Sequence, residues 1–323
     1  MEMTLKKRMN TLRLMLPLLL LILLTASEGS AKANCLEAML LCGRLIIPSL
    51  FPFFVLSAFL TRLGLPQLLG GLVAPLACRA YGISPAGASA LVMGFIGGYP
   101  AGAAYIADME KGGLIGSAEG ERLIAFCNNS GPAFIVGVMG SAVFGSVSTG
   151  LRLYAVHIFS ALVTGLFFRD KPGKYAAQDH KLDETDTAEA LVASVKQAVG
   201  SILNVCGFVI CFSLLVSMLD TAGFFSLLCG QLSALTGLEL HFIKAAFTGV
   251  LELGSGAGAM QGLPASPLNL ALAAGMLSWG GLSVHFQTMA VLSGSKIKGT
   301  LHLTGRLISA VTAFIAMLLL SVI

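Results

Sequence analysis

Residues 122–140 read R-L-I-A-F-C-N-N-S-G-P-A-F-I-V-G-V-M-G, and no other stretch restricts the possible folds so much. Apolar residues on both sides place it in a bilayer, yet the helix cannot continue through Cys127-Asn128-Asn129-Ser130-Gly131-Pro132. Pro132 removes a backbone donor and clashes with the preceding turn, and Gly131 tolerates non-helical dihedrals. Opened backbone at membrane depth survives only when buried in protein or lining a wet cavity. Two carboxamides and a hydroxyl supply donors and acceptors there without fixed charge. Many transporters build a solute site this way, from a broken helix carrying polar groups. The competing role is local: the same cluster could simply satisfy neighbouring helices.

The rest of the chain is consistent with a membrane protein. Hydrophobic residues make up 56% of it and charged residues 11%. An ordinary soluble domain has roughly 45–50% and 25%. The expected class is an all-α polytopic membrane protein with the lipid bilayer as its surroundings. The net charge of +4 comes with no basic stripe interleaved with aromatics, which excludes nucleic acid as a partner. The seven cysteines form no CxxC pair and read as small buried hydrophobes, implying no metal site and no disulfide framework. Cys127 has no base near it in sequence, and no HExxH, GxSxG or phosphate-binding loop occurs. Neither enzymatic activity nor a cofactor is expected.

Residues 1–33 carry Lys6, Lys7 and Arg8 before a short apolar core, the pattern of a signal peptide or N-terminal anchor. Ten hydrophobic elements follow: 44–61, 65–78, 84–107, 122–146 and 149–168, then 195–219, 223–237, 241–262, 267–294 and 303–323. They divide into a first membrane repeat (34–168) and a second (191–323). Between them lies a hydrophilic linker (169–190) with four basic residues, six acidic ones and His180. If every element crosses and the N-terminus is inside, sixteen of the twenty Lys and Arg are cytoplasmic, as is the linker. The exceptions are Lys32, Arg44, Arg79 and Arg152. Segments 65–78 and 223–237 are short enough to be re-entrant instead.

The halves share a pattern. Gly94-Phe95-Ile96-Gly97-Gly98-Tyr99-Pro100-Ala101-Gly102-Ala103 in one third element corresponds to the Gly249–Gly258 stretch in the other. Cys127 to Ala133 corresponds to Leu277 to Ser283. Five elements per half would invert the second repeat, and paired interruptions at matching positions point to a transporter's site. Candidate solute-binding residues follow from the interruptions. In the first half they are Gly97, Gly98, Tyr99, Pro100, Asn128, Asn129, Ser130 and Gly131. In the second they are Glu252, Ser278, Gly280, Gly281, Ser283, His285 and Gln287. Glu252 is the most informative, because an acid inside a span costs about 2.5–3.5 kcal/mol and usually faces a cavity. Ser283, His285 and Gln287 alternate and share a face only if the chain is extended there. His157, in an apolar run, reads as structural.

Together these four motifs resemble the YlbJ family of sporulation integral membrane proteins, which carry the nucleoside-recognition (Gate) domain. The likeness covers nearly the whole chain beyond its N-terminal segment. It implies two inverted Gate-type repeats related to those of concentrative nucleoside transporters. It also implies a place in the mother-cell or outer forespore membrane and a role in moving a sporulation solute, with dipicolinate the favoured candidate. A non-transporting sporulation membrane scaffold and a nucleoside-type permease are the alternatives, and the partners to expect are other sporulation membrane proteins or a second copy of the chain in a homo-oligomer.

Overall fold

The structure, a computed structural model, describes residues 28–171 and 186–322, together with 18, 21, 22, 24 and 25. Most of the expected leader or anchor therefore lies outside the described residues, as does the middle of the linker. All regular structure among the described residues is helical.

In the first repeat, α1 (Glu28–Leu41) passes through a π turn (Cys42–Ile46) into α2 (Ile47–Arg62). Then come α3 (Leu65–Tyr81), α4 (Pro85–Ile96), α5 (Ala101–Lys111) and α6 (Ser117–Phe126). The π-helical α7 (Ala133–Val143) and α8 (Val147–Phe167) complete it. The second repeat has α9 (Thr187–Thr221), α10 (Phe224–Thr236), α11 (Leu240–Leu251) and α12 (Leu253–Ala259). It ends with α13 (Pro267–Trp279), α14 (Gly281–Leu292) and α15 (Thr300–Val322). Serine hydroxyls take the first free N–H groups of several helices: Ser84 accepts from Gly87, Ser146 from Thr149 and Ser266 from Asn269. Left-handed glycines, Gly82 and Gly237, stop α3 and α10.

The third element of each half turns back rather than crossing. Ser84, just before α4, donates its N–H to Glu119 at the head of α6 (2.6 Å). Glu110, at the end of α5, accepts the N–H of Lys296 (3.0 Å), and Glu121 of α6 holds the N–H groups of Lys298 and Gly299. Both ends of the α4–α5 pair thus lie beside the head of α6, and residues 97–100 form the tip of a re-entrant hairpin. In the second repeat His241 Nε2 lies 2.7 Å from Ala259 O, so α11 and α12 likewise enter and leave together. Glu252 is the tip of that hairpin.

The short helices α3 and α10 do not cross either. Arg62, before α3, reaches Gln197 of α9, while Tyr81 O, at the end of α3, accepts from Arg122 of α6 and from the Asp170 N–H. For α10, Ser226 bonds Asp220 at one end and Ser233 bonds Leu238 O at the other, and Asp220 and His241 line one hollow. The short segments 65–78 and 223–237 thus take the non-crossing alternative, and crossing by 84–107 and 241–262 is corrected: each half loses two crossings. The reason is physical. Segments 84–107 and 241–262 have the length of a span, but a bend at glycines or at Glu252 folds them double, which no hydropathy count detects.

Two losses per half preserve parity. The long helices able to cross are 31–62, α8, α9, α13–α14 and α15. The interrupted pair α6–α7 is the sixth. Three crossings per repeat is odd, so the second repeat is inverted relative to the first. Arg79 moves to the linker end and Lys244 to the opposite end, while Arg44 and Arg306 fall within the spans 31–62 and α15. The linker end then collects Arg62, Arg79, Lys111, Arg122, Lys296 and Lys298, with Lys32, Arg152 and Lys244 opposite. Packing follows this plan. One apolar cluster joins α3 to α6, and another joins α7 and α8 to hairpin two, α13 and α15. A third joins the π turn and α2 to α9.

Candidate functional site

All four interruptions meet at mid-depth. Gly98, at the tip of hairpin one, has φ +70°, and a Cβ there would lie 2.9 Å from the Cα of Gly131. The left-handed backbone of Gly98 and its missing side chain let the tip rest on the break of α6–α7. Tyr99 then reaches across the repeats and donates its hydroxyl to Leu277 O (3.0 Å). Ser130 Oγ donates to the same carbonyl (2.9 Å), which ties the first broken helix to the second. At the other tip, a Cβ on Gly281 would lie 3.2 Å from the Cα of Glu252. Each hairpin tip therefore sits against its own repeat's broken helix, and the two breaks touch each other.

Beneath the tips lies a buried polar network. Asn128 Nδ2 donates to Thr288 (2.8 Å), and Asn129 Nδ2 to Phe126 O (2.9 Å). The Ser130 N–H donates to His157 Nε2 (3.1 Å), and His157 Nδ1 pairs with Ser278 (2.8 Å). His157 thus bridges both breaks, the structural part its apolar surroundings suggest. His285 sits edge-on between Trp279 and His302, its Nδ1 3.1 Å from His302 Nε2. Since α14 is helical, Ser283 and Gln287 share one face and His285 takes another, so the alternation does not form a single polar face.

Glu252 accepts N–H groups from Gly254 (2.8 Å) and Ser255, with the Ser283 hydroxyl at 3.5 Å. Its backbone is extended (φ −147°, ψ 122°), so the carboxylate acts as the N-cap of α12. Its oxygens are turned onto its own hairpin.

The tips face a groove between α2 and α9. At its centre is a cavity of about 60 Å³, closed by Ile46, Leu50, Phe53, Phe54, Val205 and Val209. Six candidate residues line it: Gly97, Gly98, Tyr99, Gly131, Glu252 and Gln287. Gln287 is buried and its Oε1 has no protein partner. Asn128, Asn129, Ser130, Ser278, Gly280, Gly281, Ser283 and His285 lie behind this lining, within the breaks, and Pro100 faces a hollow beside it. That hollow, about 500 Å³, opens between α2, α9 and hairpin one toward Arg62, Asp108 and Gln197 at the linker end. A third, about 620 Å³, opens between α1, α9 and hairpin two toward Asn34, Asp220 and Lys244 at the opposite end. The first hollow shares Phe54, Gly97 and Tyr99 with the central cavity, and the second reaches Ser255, next to Gly254 in the cavity's lining.

The sequence reading missed Arg306 and His302 of α15 and Thr288 of α14, all fully or almost fully buried beside the breaks. Arg306 carried a usable signal, a basic residue within the apolar run 303–323. His302 and Thr288 carried none, since only the packing of α15 and α14 brings them to the site.

The fold and the paired interruptions define a polytopic membrane protein of the kind built on broken helices and re-entrant hairpins. A solved structure of CNTnw in an outward-facing state, carrying two substitutions, has this fold. It matches with a TM-score of 0.53 at 14% identity, over 97% of this chain and 86% of that one. No family model matches the chain. It aligns at 28% identity over 300 residues with the sporulation integral membrane protein YlbJ of Bacillus subtilis (strain 168), covering 85% of this chain and 74% of that protein. That likeness supports the resemblance to the YlbJ family of sporulation integral membrane proteins carried by the four sequence motifs.

Proposed function

We propose that the protein is a transporter that moves a small solute, dipicolinate, across a membrane of the sporulating cell along the groove between α2, α9 and the hairpin tips. The observation that carries this is the set of three spaces, with polar vestibules at opposite ends and a constriction where both tips meet. A scaffold that moves nothing has no need of two vestibules converging on paired helix breaks. At about 60 Å³ the central space holds a few waters, so a solute passes only when the tips and the α2–α9 wall separate. Rocking of one bundle against another around a mid-depth site is the motion this architecture performs.

The lining suits a flat ring. Phe53 and Phe54 offer aromatic faces, and the Gln287 amide offers polar contact without fixed charge. The N-terminus of α5 begins at the tip of hairpin one, where the positive end of the helix dipole favours a carboxylate. Glu252 does not oppose an anion strongly, because its charge is engaged by its own backbone. A nucleoside would find the same aromatic faces, which keeps the nucleoside-permease reading as the competitor within this fold. In this reading the linker is cytoplasmic, by the excess of Lys and Arg at its end of the molecule. The membrane is the mother-cell or outer forespore membrane, and no bond is made or broken. Uptake of labelled dipicolinate into proteoliposomes tests the proposal. Saturable flux above empty vesicles, competed by unlabelled dipicolinate and not by nucleosides, supports it. Flux no greater than that of empty vesicles ends it, and competition by nucleosides alone transfers the function to the permease reading.

A further inference from the structure

Arg306 stands outside the pathway just described. Its side chain is fully buried and pairs with no carboxylate among the described residues. What it meets is the broken end of α6. Beyond the last helical bond, from the Cys127 N–H to Leu123 O (2.7 Å), the carbonyls of a helix end lack intrahelical partners, and here three in succession are taken. Ile124 O faces His302 Nδ1 (3.2 Å). Ala125 O accepts from Arg306 (3.1 Å), and Phe126 O from Asn129 Nδ2 (2.9 Å). Asn129 Oδ1 then accepts a second N–H of Arg306 (3.0 Å). Gly305 makes the approach possible: a Cβ there would lie 2.2 Å from Ala125 O, so the backbone of α15 rests directly on α6.

A helix C-terminus carries about half a negative charge. In transporters with broken helices, such ends and the unwound carbonyls beside them coordinate the coupling cation. We propose that Arg306 is a tethered cation. Its guanidinium occupies the place at the first break that an alkali ion would take, contacting a terminal carbonyl and the Asn129 amide oxygen. The folded protein therefore neither requires nor binds Na⁺ or K⁺ at this break. Joined to the transporter reading, the solute does not move on an alkali-ion gradient through this site. The second break differs, since its Leu277 carbonyl is held by the neutral hydroxyls of Tyr99 and Ser130.

The test uses thermal unfolding of the purified full chain in detergent, so it does not depend on transport. Sodium, potassium and choline chloride are compared at equal ionic strength. Wild type should unfold at the same temperature in all three, within about 2 °C. Arg306→Ala empties the position and should unfold at least about 5 °C lower in choline, recovering part of that loss saturably in sodium or potassium. Arg306→Lys retains a charge and should show no salt response. Saturable stabilisation of wild type by either ion overturns the proposal. So does an Arg306→Ala protein with wild-type stability in every salt. If Arg306→Ala does not survive extraction, Arg306→Lys decides: folding without alkali ion supports the proposal, and a need for sodium or potassium overturns it.

Discussion

Replacing Glu252 by Gln tests whether this intramembrane acid holds hairpin two together. The carboxylate receives two backbone N–H groups, from Gly254 and Ser255, and the residue is 3% exposed. Gln keeps one acceptor, but its amide NH₂ then faces a backbone N–H, donor against donor. The loss is one hydrogen bond to a charged group, about 1.5–3 kcal/mol, with a buried N–H left unsatisfied. At about 2–4 °C per kcal/mol for domains approaching this size, the unfolding temperature should fall by roughly 3–12 °C. Glu252→Asp keeps both acceptors and belongs to the residue types preferred at this position, so it should lie within about 1 kcal/mol of wild type. Glu252→Ala removes every acceptor and should be the worst of the three. Hydrogen exchange localises the effect: amides of residues 253–259 should lose protection in Gln and Ala while those of α8 stay unchanged. A Gln variant with wild-type unfolding temperature and wild-type exchange would refute the capping role. Gln should also lower transport only in proportion to folded protein. Full folding with abolished pH-driven uptake would instead assign Glu252 a proton-carrying part.

Other perturbations probe the remaining contacts. Tyr99→Phe removes the hydroxyl donated to Leu277 O and should cost about 1 kcal/mol in thermal unfolding, and it should slow solute flux more than it lowers membrane abundance. Gly98→Ala forces a side chain into a left-handed backbone against Gly131, costing at least about 1–2 kcal/mol, and should reduce folded protein on size-exclusion chromatography. A short cross-linker between cysteines placed at Val209 and Val284, both lining the central cavity, should abolish proteoliposome uptake until reversed. Gln178→Cys in a cysteine-free background should resist an impermeant maleimide added outside intact cells, and labelling there would reverse the topology.

Much of this architecture was legible in the residues, though unevenly. Pro132 and the Asn pair announce a broken helix because a bilayer leaves no other explanation for them, and the second repeat announces itself through glycines at the matching place. The sequence allows 65–78 to cross or to re-enter and gives 84–107 a crossing; in the structure neither crosses, so an odd count of crossings per half is kept. Hydropathy reports burial in lipid and cannot tell a span from a hairpin of equal length. The division of the site residues was equally hidden. Gln287 and Ser283 share a helical face that alternation obscured, while Asn128 and Asn129 turn inward because α14 and α15 supply their partners. Those partners lie about 160 and 177 residues away. Sequence distance of that size leaves no local trace.

The closing of α6 by α15 bears on how such a molecule can be taken apart. The first repeat lacks the means to complete its own broken helix: two of the carbonyls at that end wait for His302 and Arg306, which the chain delivers in its final span. In return, the second repeat's break depends on Tyr99 and Ser130 of the first. The halves are therefore interlocked rather than merely adjacent. A chain cut within the linker should reassemble when both pieces are made together, whereas either piece alone, or two copies of one, would leave an open helix end in lipid.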